Sequence, residues 1–151
     1  MAWWGGTQPD ADEPVDRLEA FRVYGAHLEA IRDRLPPELL AIGQAVPLHD
    51  ARLRVLRYTP ADSSLLIELQ NYIDETGPRR FFLRYDGVHA FESRADPDVG
   101  LAGPGGYGDL GYDELDLTPE GLAVHRLLFS SGIELHITCR DARAWWAGEE
   151  T

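Results

Sequence analysis

The sequence predicts an α+β fold, with N-terminal helices packed on a curved antiparallel β-meander of about six or seven strands. Three observations lead to it. Apolar residues recur at helical spacing up to Leu35, and the period changes to two after Ala51. The segments of period two are joined by connections too short for the crossovers that parallel strands require.

Residues 1–14 read as a loose leader, residues 15–147 as a single domain and residues 148–151 as a tail. Phe21, Tyr24, Leu28, Ile31 and Leu35 alternate three and four apart, which stacks them on one helical face. Asp10 or Asp12 is placed to cap that helix, with Pro14 in its first turn. Pro36-Pro37 ends it, because proline lacks a donor and restricts the residue before it. A short second helix is expected over 38–42, stopped by Gly43. Strands are expected over 52–58, 64–73, 79–85, 88–93, 112–117, 122–130 and 133–140. Turn chemistry separates them at 59–63, 74–78, Asp86-Gly87, 118–121 and Ser131-Gly132. Residues 95–111 read as a long glycine-rich loop. The inward set is expected to include Leu53, Val55, Leu65, Ile67, Leu69, Phe81, Leu83, Leu135 and Ile137.

The chain has 151 residues, 44% hydrophobic and 26% charged, as in an ordinary globular protein. Its formal net charge of -12 argues against nucleic acid and anionic membranes as partners, since both need a positive field. All 14 basic residues are arginine. One cysteine, Cys139, permits no internal disulfide and no all-cysteine metal cage. No signal peptide or membrane span is evident, so the cytoplasm is the expected compartment. No cofactor is indicated: there is no dinucleotide fingerprint, and Gly103–Gly108 lacks the lysine and the acid-free surroundings of a phosphate cradle.

Four groups of residues are candidates for chemistry or binding. His49-Asp50 resembles the metal-binding pair of HD-type phosphohydrolases. Those enzymes set the pair on a helix with further histidines, whereas here it lies between helix and strand. The competing reading is a turn in which Asp50 accepts backbone bonds and His49 packs under the helix. In the last hairpin, a two-residue Ser131-Gly132 turn would set His125 opposite Thr138. His125, Glu134 and His136 would then share one face as metal ligands. Arg54, Glu68 and either Arg80 or Arg84 are expected to share a solvent face as an ion ladder, or as a patch that recognises a carboxylate. The tryptophans Trp3, Trp4, Trp145 and Trp146 all lie near the ends of the chain. They either dock on one another or form an apolar patch for a partner or for a second copy in a homodimer.

The runs Leu35-Pro-Pro-Glu-Leu-Leu, Pro47-Leu-His-Asp-Ala-Arg-Leu, Tyr112-Asp-Glu-Leu-Asp-Leu and His125-Arg-Leu-Leu-Phe-Ser-Ser-Gly-Ile-Glu-Leu are similar to a set of small uncharacterised bacterial proteins. Those share an L-H-D step from helix to strand and a closing hairpin. In size and acidity the chain is also similar to immunity proteins that neutralise bacterial toxins. The absence of a catalytic motif, the strong acidity and the acidic, glycine-rich segment at 86–116 point to a non-enzymatic protein-binding domain of immunity or regulatory type. Between Asp86 and Asp116 there are eight acids and one base, which points to a basic protein partner. The competing expectation is a metal-dependent enzyme using the His/Asp/Glu cluster.

Overall fold

The computed structural model describes residues 17–45, 48–72, 77–95 and 106–149. The chain divides into two compact units, residues 1–34 and 35–151. In the first, α1 (Arg17–Ile31) continues into a 3₁₀ turn at Arg32–Arg34. Along its apolar stripe burial rises towards the C-terminus: Phe21 is exposed, Tyr24 and Leu28 are half-buried, and Ile31 is buried. Ion pairs three residues apart, Arg22–Glu19 and Arg32–Glu29, add local support. The expected caps Asp10, Asp12 and Pro14 and the leader lie outside the described residues.

The second unit begins with α2 (Pro37–Ala45), whose proline occupies the first helical position, where no donor is needed. The helix runs through Gly43 instead of stopping at it. Leu39 and Ile42 are buried, and α2 packs on the strand Asp141–Trp146.

Eight antiparallel strands follow: β1 (Arg52–Thr59), β2 (Ser64–Tyr72), β3 (Pro78–Asp86), β4 (Ala90–Arg94), β5 (Leu110–Leu117), β6 (Ala123–Phe129), β7 (Glu134–Cys139) and β8 (Asp141–Trp146). They form two sheets rather than one meander, in the orders β1-β2-β3-β8 and β4-β7-β6-β5. The first is sheet A and the second sheet B. Strands β3 and β4 run on from one sheet into the other, and so do β7 and β8. The pairing shows how the bend is made. Asp86 pairs with Asp141 in sheet A, whereas Ala90 pairs with Thr138 in sheet B, so the β3–β4 side carries one extra residue at the corner. Such a bulge sharpens twist and lets a strand change sheet. Gly87, at φ 59°, sits in this bend. A second junction joins the far edges: Arg52 bridges to Asp109, and the Leu110 N–H donates to the Ala51 carbonyl at 2.8 Å. The strand β8 was not expected as a separate element, because no glycine or proline marks the step at Arg140.

The inner faces of the two sheets meet in the core. Leu65, Ile67, Leu69, Phe81, Leu83 and Tyr85 of sheet A and His125, Leu127, Phe129, Leu135 and Ile137 of sheet B are all buried. Val55 does not join them. The register slips between Leu53 and Val55, so a bulge turns Val55 outward, and Leu56 instead pairs with the buried Ile67. Of the segment 95–111, read as loop, the part from 106 onward is described and leads into a strand. Tyr107 lies edge-on to Phe129, Leu110 is buried, and β5 starts there. Gly108, at φ 81°, brings backbone against Ser130, leaving no room for a side chain.

Candidate functional site

The closing hairpin decides the fate of the expected metal cluster. Its loop holds three residues, Ser130, Ser131 and Gly132. The Phe129 N–H donates to the Ile133 carbonyl at 2.9 Å, and Gly132 is left-handed at φ 83°. This is the three-residue loop in which glycine takes the left-handed position. It shifts the register by one residue from that of a two-residue turn. His125 therefore faces Ile137 rather than Thr138, and His136 faces Arg126. A shift of one reverses the face. His125 points into the core while Glu134 and His136 stay on the outer face, so the three do not converge. Among the described residues, no group of three His, Cys, Asp or Glu side chains is placed to hold a metal ion.

His136 instead hydrogen-bonds Glu134, Nε2 to Oε2 at 2.8 Å. His125 is the centre of a chain that the sequence did not suggest. Its Nε2 lies 3.1 Å from Asp113 Oδ2 and its Nδ1 lies 2.8 Å from the Tyr85 hydroxyl. A carboxylate only accepts, so Nε2–H donates to Asp113 and the Tyr85 O–H donates to Nδ1. Tyr85 and His125 are both fully buried. Burial pushes the Tyr85 phenol well above its usual range, with the charges of Cys139 and Asp113 adding to the effect. The chain spans both sheets, from β3 through β6 to β5, and satisfies its polar groups internally. Cys139 is buried beside it, and its thiol is pushed up to about 12, first by burial and then by Asp141 and Asp86.

His49 and Asp50 occupy a tight turn on the surface. The Ala51 N–H donates to the Leu48 carbonyl at 3.0 Å, and Asp50 is left-handed at φ 66°. Both side chains are exposed and are paired with each other, Nδ1 to Oδ1 at 2.9 Å. His49 thus does not pack under the helix, but lies edge-on to Tyr112. Trp3 and Trp4 lie outside the described residues. Trp145 and Trp146 end β8 on opposite faces, each half-buried against β3. Trp145 stacks on Phe82 at 5.4 Å and 17°, and Trp146 tilts over Phe81 at 4.9 Å.

The outer face of sheet A gathers the most distinctive surface. Its register sets Val55, Glu68, Phe82 and Trp145 in one row across the four strands. The next row is Arg57, Leu66, Arg84 and Arg143, and on the other side Arg52, Gln70 and Arg80 stand in line. Two rows rich in arginine therefore flank a row that holds Val55 and Glu68 and ends in the stacked aromatic pair Phe82 and Trp145. Part of the expected ladder is present: Arg80 meets Glu68 at 3.5 Å, and Arg84 reaches Asp62 at 3.0 Å and Asp86 at 2.8 Å. Arg54 falls at the bulge. Arg54 and Arg57 are exposed, without an ion pair among the described residues.

Arginine is thus concentrated on one sheet of an acidic chain. The strands of sheet A contain Arg52, Arg54, Arg57, Arg79, Arg80, Arg84 and Arg143 against Glu68, Asp86 and Asp141. Those of sheet B contain Glu92, Asp113, Glu114, Asp116 and Glu134 against Arg94 and Arg126. The acids of the 86–116 segment that are described each face a base. Asp86 meets Arg84 and Arg143, Glu92 meets Arg94, and Asp109 meets Arg52. Asp113 meets His125, while Glu114 and Asp116 meet Arg126. The described acids of this segment are thus each engaged within the chain.

Comparison of the sequence with known protein families and with curated proteins gives no match. No described helix is long and apolar enough to cross a membrane.

Proposed function

We propose that this chain is a protein-binding domain whose outer sheet A face receives an acidic partner. The observation behind this reading is the Val55–Phe82–Trp145 row flanked by arginines. Trp, aromatic and arginine side chains are the types that supply most binding energy at protein interfaces. Stacked rings give area at little entropic cost, and the free guanidiniums of Arg54 and Arg57 supply charge-assisted hydrogen bonds to carboxylates. A protein suits this face better than a nucleic acid. Arg52, Arg80, Arg84 and Arg143 are each held by a carboxylate of the chain, which weakens the field that a phosphate backbone needs. This reading keeps the expected binding role and sets an acidic partner against the basic one that the composition suggested.

A photo-crosslinking residue in place of Phe82, introduced in the cell that makes the protein, tests the reading. A discrete protein adduct that weakens at high salt is expected, and it is lost with Arg57→Glu. The same crosslinker at Val124, on the outer face of sheet B, should not give it. A nucleic-acid adduct, no adduct, or the same adduct from both faces overturns the proposal.

A further inference from the structure

A second site lies where α2 meets the end of β8, and its chemistry is opposite to that of the arginine face. A cleft of about 180 Å³ is lined by Trp145, Trp146, Phe81 and Ile42, together with Glu38 and Glu149. Two elements bring these groups together. The turn after β8, in which the Glu149 N–H donates to the Trp146 carbonyl at 3.0 Å, brings Glu149 to the cleft. The first turn of α2 presents Glu38 from the other side, exposed and with no ion-pair partner among the described residues. Aromatic faces with nearby carboxylates attract cations, through the ring quadrupole and through charge. The chain already shows this preference. The Arg79 guanidinium sits 4.7 Å over the Trp146 ring and 3.6 Å from Glu149.

We propose that this cleft binds an organic cation of the quaternary ammonium class. Such a head group is bulky, weakly hydrated and unable to donate strong hydrogen bonds. It fits a site lined by aromatic side chains with peripheral charge rather than by aligned acceptors. A small metal ion would need several converging oxygen ligands, which two rim carboxylates do not supply. Arg79 acts as an internal competitor, since it shares Trp146 and Glu149 with the ligand. The proposal does not depend on the arginine face, and it can stand or fall separately.

The test is a titration of the full chain with choline chloride, followed through the indole N–H signals of Trp145 and Trp146 by NMR. Sodium chloride at equal ionic strength and the neutral isostere 3,3-dimethylbutan-1-ol serve as controls. Saturable shifts with a Kd on the order of millimolar are expected for choline alone. The double variant Glu38→Gln, Glu149→Gln, altered only at exposed positions, should weaken binding about fivefold or more. Arg79→Gln should tighten it about threefold by removing the competitor. Equal shifts with the neutral isostere, no saturation, or unchanged affinity in the double variant overturns the proposal.

Discussion

Tyr85 and His125 illustrate how a polar group survives in a β-sheet core. Each satisfies the other, and Asp113 anchors the imidazole at the protein surface, where its side chain is 27% exposed. Removing one member leaves a buried group unsatisfied. Tyr85→Phe should therefore cost about 1–3 kcal/mol at neutral pH, measurable by urea unfolding. It should also change the alkaline behaviour. The phenol of the unfolded chain deprotonates near its ordinary value of 10.0, while the folded protein keeps the proton to a higher pH. Above that value the unfolded state binds fewer protons, so stability falls as pH rises, by up to about 1.4 kcal/mol per pH unit from this group. Cys139 acts in the same sense, from its ordinary 9.0 up to about 12. The contribution of these two groups should thus be fully present below pH 9 and decline above it. Tyr85→Phe should flatten the part of the decline above pH 10. An identical slope in both proteins would show that the phenol does not titrate on unfolding.

At the scale of elements, what could be read from the sequence was periodicity, and what could not was register. The turns at 59–63 and 118–121, the breaks at Pro36-Pro37 and the alternation of Leu65, Ile67 and Leu69 are local signals, and the corresponding elements stand within a residue or two of expectation. Two single-residue details had no local signal. The bulge near Arg54 reverses Val55, and the third loop residue between β6 and β7 reverses His125 relative to His136. Both depend on cross-strand hydrogen bonding, and one residue of slip is enough to dissolve a candidate metal cluster. Of the candidate site residues, Trp145 and Trp146 came to lie in a cleft, while the Tyr85–His125–Asp113 chain joins three strands far apart in sequence and had no motif to announce it. The hairpin itself can be tested. Gly132→Ala forces a side chain into the left-handed region and should cost about 1–2 kcal/mol, with the loss read from thermal melts. The same change at Gly25, inside α1 with open space around its Cβ position, should instead stabilise, by up to about 1 kcal/mol. Equal effects at both positions would contradict the assigned loop.

For the molecule as a whole, the separation of charge between the sheets matters more than the net charge. An arginine-rich outer face on sheet A allows a chain of net charge -12 to attract acidic groups locally, within the roughly 8 Å over which charge is felt at physiological salt. Association through that face should slow as salt rises, chiefly through the on-rate. Arg57→Glu with Arg143→Glu should abolish the salt dependence without changing the melting temperature by more than about 2 °C, because both side chains are exposed. A melting temperature that dropped sharply would mean that these arginines serve the fold first.

The return of the chain from sheet B to sheet A at Arg140 has a consequence for biosynthesis. Strand β3 waits for its second neighbour until β8, more than fifty residues later in the chain, has left the ribosome. Until then the edge bearing Phe81, Phe82 and Leu83 is open, and sheet B must assemble beside an incomplete sheet A. A nascent or prematurely terminated chain ending before Asp141 thus offers an apolar strand edge to any neighbour, which is a known route to aggregation. Chains stalled at residue 140 should bind chaperones and collect in the insoluble fraction, whereas chains released at full length should not. The six residues from Asp141 to Trp146 would then act as the clasp that ends the vulnerable period of synthesis.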